Sequence, residues 1–184
     1  MLNGSDVYRY NVAVDEEAGV SGETVYSERP WWVGALLRGP AGLGSLPARV
    51  AVTAMIAGGA ACTVGSGVIH LYLWGKQYGY RDVPTIGPLF LIQGIVAILL
   101  GLLVIVSRQV LVAVLAGGML VVSVISLVLA IEVGLFGFKD SWYAPYAWTC
   151  FYEEIAGAVL LLVAAGVLAW SAIGSRAGGS GPGR

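Results

Sequence analysis

The sequence predicts an all-α integral membrane protein, an antiparallel four-helix transmembrane bundle, on three observations. The 184-residue chain is 58% hydrophobic and 11% charged, where soluble domains average about 25% charged residues. Mean hydropathy is +0.82, which is more apolar residue than a soluble core calls for. The apolar residues also gather into four long runs. At about 1.5 Å of rise per residue, each can cross a hydrocarbon core of about 30 Å. The net charge of −1 is spread over tails and connectors. No basic patch points to nucleic acid. The bilayer is the expected partner, with a membrane-protein partner or a homo-oligomer left open.

The first 28 or so residues are polar and acidic, with Asp6, Asp15, Glu16, Glu17, Glu23 and Glu28 among scattered Gly and Ser. Such a segment buries too little apolar surface to order itself, so residues 1–48 are expected to be a largely disordered cytoplasmic tail. No basic n-region precedes an apolar core there, unlike a signal peptide. Near residues 30–38, Trp31, Trp32, Leu36 and Leu37 lie between Arg29 and Arg38. This stretch is too short to span. It suits either a segment lying at the membrane surface or a juxtamembrane linker. Gly39 to Pro47 reads as a loop.

The first span is expected over residues 50–74, closed by Arg49 at one end and by Trp74 and Lys76 at the other. Ala61 and Gly65 form a small-xxx-small pair that favours close helix contact. The second span covers 86–106, with Pro88 in its first turn, where proline is tolerated. Gln93, Ala97 and Gly101 recur every four residues, so they share a face expected to meet other helices. Ser107-Arg108-Gln109 is short enough to force an antiparallel hairpin with the third span, 110–136. The connector 137–146 carries Trp142, Tyr143 and Tyr146, as an interfacial aromatic belt does. The fourth span covers 147–173, and residues 174–184 read as a flexible cytoplasmic tail.

Orientation follows from basic residues near the spans. Arg38, Arg49, Arg108, Arg176 and Arg184 fall on one side; Lys76, Arg81 and Lys139 fall on the other. The richer side is expected to be cytoplasmic, at the plasma (inner) membrane. Both termini are then inside and both aromatic connectors outside.

Ionisable side chains within spans cost at least about 2.5–3.5 kcal/mol at the helix centre and mark function by default. Here they are His70, Glu132, Glu153 and Glu154, with Gln93 as an uncharged companion. Counted along the helix rise, each lies about 6–10 Å from the outer interface, so every span offers a polar group to one outer-leaflet layer. The functional reading is a polar pocket roofed by the connectors, able to pass protons, hold a divalent metal or receive a small ligand. The structural reading has His70 capping its helix or pairing with Glu132 or Glu154, and Gln93 bonding across the bundle. Of the two adjacent glutamates, about 100° apart on the helix, Glu154 is expected to point inward. Tyr78, Tyr80, Arg81 and Asp82 in the first outer connector are either a lid or partner contact, or solvated loop residues.

Other signatures are missing. One histidine excludes bis-histidine haem within one chain, and one histidine plus acids matches no recognised metal spacing, so no metal ligand is assigned and the cofactor stays unknown. Ser123 and Ser126 lack a local base and are expected to bond to backbone. Cys62 and Cys150 read as unpaired apolar cysteines. No phosphate loop, HExxH or GxSxG occurs.

Two stretches, IHLYLWGKQYGYRDVPTIGPLFLIQ and GLFGFKD followed by EEIAG, resemble uncharacterised four-helix membrane proteins of high-GC actinobacteria. The resemblance covers roughly residues 68–163 and implies that Glu154 is the matching acid. It implies no activity. The expected function is therefore a non-enzymatic accessory or binding component with a polar layer in the outer half of the bundle. The alternatives are a proton-handling or quinone-linked redox component and a small oligomeric transporter.

Overall fold

The computed structural model describes residues 31–76 and 79–177. The acidic segment 1–30, Tyr78 and residues 178–184 lie outside the described residues, and with them most of the expected N-terminal tail. The chain is mostly helical, and the described residues hold no strand beyond one isolated bridge between Leu135 and Phe138. A short helix, α1 (Trp31–Leu36), is followed by four long ones: α2 (Leu46–Gly75), α3 (Ile86–Ser107), α4 (Val110–Glu132) and α5 (Ala147–Ala177). All four long helices have the length and apolarity to cross a membrane.

Local chemistry sets the helix ends. Ser45 caps α2, its Oγ accepting from the Ala48 N–H at 3.4 Å, with Pro47 in the first turn. Arg108 takes a left-handed conformation (φ 52°) at the end of α3, which lets two residues reverse the chain into α4. That end is further tied by α1 and the residues after it: the Val110 N–H donates to the Arg38 carbonyl at 3.2 Å, and Leu36 packs on the core. The stretch expected as a surface segment or linker thus contains a short helix packed at that end of the long helices.

Three boundaries differ from expectation. The first long helix starts at Leu46, four residues before residue 50, on the Ser45 cap. The third long helix stops at Glu132, four residues short of Phe136. Gly134, Phe136 and Gly137 all have positive φ, so residues 133–138 turn back on themselves, with Leu135 and Phe138 exchanging backbone hydrogen bonds at 2.7 and 2.9 Å. Apolar composition hid this turn, because Leu135, Phe136 and Phe138 read as more span. At the other end, α5 continues to Ala177, past Ile173, so the expected C-terminal tail begins later.

Small residues bring the helices together, though not the pair singled out in the sequence. Ala61 is exposed. The close approach of α2 to α3 is made by Gly67 and Gly94: a Cβ on Gly67 would lie 2.8 Å from the Gly94 carbonyl oxygen, and one on Gly94 would lie 3.0 Å from that of Gly67. Gly101 extends this contact against Ala60. Ala97 and Gly101 are buried and Gln93 is half-buried, so the predicted face of α3 does turn toward its neighbours. Between α2 and α5, Gly59 and Gly157 serve the same purpose.

The apolar core is lopsided. Its main cluster, including Val52, Ile56, Val104, Ala116, Leu120 and Leu161, lies toward the Arg108 turn. A second, smaller cluster of Leu73, Tyr80 and Ile86 lies under the connectors. Between the two clusters the helices enclose a cavity.

Candidate functional site

The cavity has a volume of about 390 Å³ and is lined from all four long helices and both connectors. That volume and a mostly apolar wall fall in the range of small-molecule sites. Its polar members are few: His70, Gln93, Ser123, Ser126, Asp140 and Glu154.

Glu154 is the centre of the site. It is fully buried (0% exposed), while its neighbour Glu153 is half-buried. Ser66 of α2 and Ser123 of α4 both donate to Glu154 Oε1, each at 2.7 Å. One carboxyl oxygen therefore ties three helices together. His70, one turn beyond Ser66, holds its ring by Nδ1 donating to the Ser66 carbonyl at 2.8 Å. A carbonyl only accepts, so a proton sits on Nδ1. Phe90 packs beside it, ring centroids 5.0 Å apart.

Among the described residues, two buried side-chain atoms lack a hydrogen-bond partner: Gln93 Nε2 and Glu154 Oε2. Both residues line this cavity. Orphans of this kind cost about 1–3 kcal/mol each when left unmade, and native interiors keep very few. That both occur at one cavity is the most informative feature of the molecule.

The roof is built from the connectors. Tyr80 is buried, stacks on Phe90 (4.8 Å, 14°) and meets Phe138 edge-on at 5.9 Å. Its hydroxyl donates to Asp140 at 3.1 Å, joining the first connector to the second. Burial, and then the neighbouring Asp140 carboxylate, push the Tyr80 hydroxyl well above its usual pKa of 10.0. Gly87 lets this roof sit low, because a Cβ there would run into the Arg81 and Tyr80 carbonyls. Arg81 lies outside, its guanidinium 4.9 Å from the Trp74 ring centroid, and Asp82 is exposed.

The predicted layer is thus only partly assembled. His70, Gln93 and Glu154 come together at the cavity. Glu132 does not: it is the exposed last residue of α4 and accepts from Trp142 Nε1 at 3.0 Å. The early end of α4 moves it out of the expected layer, and Trp142 continues outward in a stack with Trp148 and Tyr152. Glu153 does not line the cavity either; its carboxylate occupies the space left by the missing Cβ of Gly65. Ser126 bonds to the Val122 carbonyl as expected, whereas Ser123 bonds to Glu154 instead of backbone. Ser66 was missed. Its signal was the four-residue spacing to His70, which puts both on one helix face. Tyr78 lies outside the described residues.

The wall is thin on one side. Leu89 of α3 and Val122 of α4 both line the cavity and are 42% and 63% exposed. Between the two helices joined by the Arg108 turn, a single layer of side chains therefore separates the cavity from the surface.

Comparison with known proteins finds no family model, no curated protein and no solved structure that matches this chain.

Proposed function

We propose that this is a multi-pass plasma-membrane protein, an antiparallel four-helix bundle, that binds a small amphipathic molecule in the outer-leaflet half of the bundle. It acts as a binding or accessory component, with both termini in the cytoplasm. The observation that carries this reading is the pair of unpartnered polar atoms, Gln93 Nε2 and Glu154 Oε2, at one apolar-walled cavity. A ligand with an apolar body and a polar head would fill the space and satisfy both.

A proton-handling role is the second reading, favoured by the chain His70–Ser66–Glu154–Ser123. Its weakness is the link from His70, which runs to the Ser66 backbone carbonyl and not to its hydroxyl, which lies 3.5 Å away. A relay predicts a protonation change near neutral pH that vanishes in both His70→Ala and Glu154→Gln.

Native mass spectrometry of the full chain released from lipid tests the binding reading. The expected result is an adduct of constant mass, lost in Ser126→Phe, which fills the cavity from a residue whose own hydrogen bond is local. Absence of any adduct in the unmodified protein, with the fold intact by circular dichroism, would count against a bound molecule.

A further inference from the structure

We infer that the ligand of this cavity is a lipophilic cation, which enters from the bilayer between α3 and α4 and sets its charge against Glu154. The inference rests on the reading of the cavity as a binding site and adds the ligand's chemical class and route.

Charge comes first. The lining contains two acids, Asp140 and Glu154, and no lysine or arginine. His70 directs its Nδ1 proton to the Ser66 carbonyl and not to either acid. An anionic head would meet two carboxyls and little to neutralise it. A cation meets acceptors instead.

The carboxyl itself is held ready. Ser66 and Ser123 fix Glu154 Oε1 from two helices, which leaves Oε2 as the free end. A buried carboxyl either keeps its proton or pairs with a positive charge. Among the described residues no lysine or arginine lines the cavity, so the partner of an ionised Glu154 is the ligand, and a cation that binds there displaces the proton of the neutral acid. Gln93 completes the head site as a neutral dipole: an amide turns end for end at no cost in shape, presenting N–H or C=O to whatever lies beside Glu154.

The wall suits the rest of such a molecule. Tyr80, Phe90, Phe136, Phe138 and Tyr146 line the cavity, and aromatic faces attract cations most when water is excluded. Leu73, Ile86 and Leu127 complete an apolar chamber for the hydrocarbon part. The exposed lining residues Leu89 and Val122 make an apolar threshold between α3 and α4. A molecule dissolved in the outer leaflet crosses it without entering water.

Two probes of one shape test this: methyltriphenylphosphonium, a cation, and triphenylphosphine oxide, which is neutral. Each is titrated against the full chain in nanodiscs of zwitterionic lipid, with empty nanodiscs as background. The cation should bind saturably and the oxide more weakly. Glu154→Gln, which keeps an oxygen for the two serines, should weaken the cation by about tenfold or more and the oxide by much less. Ser126→Phe should weaken both, which places them in this cavity. Equal binding of the two probes, unaffected by Glu154→Gln, would overturn the cation inference while leaving the cavity reading intact. Cation binding unaffected by Ser126→Phe would also overturn it. Failure of both probes overturns it too, and the adduct measurement above then decides separately whether the cavity binds anything.

Discussion

Tyr80 does two jobs through two ends of one side chain. The ring stacks on Phe90, and the hydroxyl bonds to Asp140 of the other connector. Tyr80→Phe keeps the stack and removes the bond, which should cost about 1 kcal/mol. The pH dependence has a definite sign. Burial and Asp140 raise the folded-state pKa above the usual 10.0, so the protonated hydroxyl's contribution is fully present below that value. It is lost as pH climbs beyond, because the unfolded chain ionises first. Thermal melts across the alkaline range should show the native protein losing stability above pH 10 more steeply than Tyr80→Phe. Parallel curves would remove Tyr80 from the roof. Glu154 is the converse case at this scale: a residue whose one oxygen is fully used and whose other is free.

Helix pairing sets where the cavity can exist. The α2–α3 and α2–α5 pairs close through glycine: in the first a methyl group would collide with a backbone carbonyl, in the second with side chains such as Leu161 and Cys62. The α3–α4 pair shares only its turn closely; farther along, the cavity lies between them. Not every helix glycine is structural in this sense. Gly67→Ala would press a Cβ against the Gly94 carbonyl at 2.8 Å, a backbone atom that cannot rotate away. We expect it to destabilise by about 1–3 kcal/mol. Gly166→Ala meets nothing within 4 Å and should be neutral or stabilising by up to about 1 kcal/mol through helix propensity. Detergent unfolding of the two variants decides the matter: equal melting temperatures would mean that α2 and α3 do not approach this closely in the folded protein.

For the whole molecule, the division of labour runs along the long helices. The end near the Arg108 turn is packed with apolar side chains, and the end under the connectors holds the polar groups and the space. If the proposed topology holds, the packed half faces the cytoplasm and the cavity half faces out. Single-cysteine variants at Ser141 and Ser175, made after replacing Cys62 and Cys150 by serine, test it. Ser141→Cys should react with a membrane-impermeant maleimide on intact cells, and Ser175→Cys only after permeabilisation. Labelling of both from one side would refute the four-span arrangement.

Hydrophobic run length and the connectors between runs determined, from sequence alone, the four long helices and the polar residues set toward one end. Those features depend on local composition, which period and length report directly. The buried position of Glu154 was expected too, but small residues line the rows of both Glu153 and Glu154, so composition alone did not separate them. What only the tertiary structure decided was which polar groups meet. Glu132 left the layer when two glycines ended α4 early, Glu153 went to a space opened by Gly65, and Ser66 and Ser123 entered from helices whose rotation no single run encodes. Depth along a helix can be counted from residue numbers; the azimuth of one helix against another depends on close contacts between glycines far apart in the chain. The cavity, its orphaned atoms and its thin side wall exist only once those rotations are set.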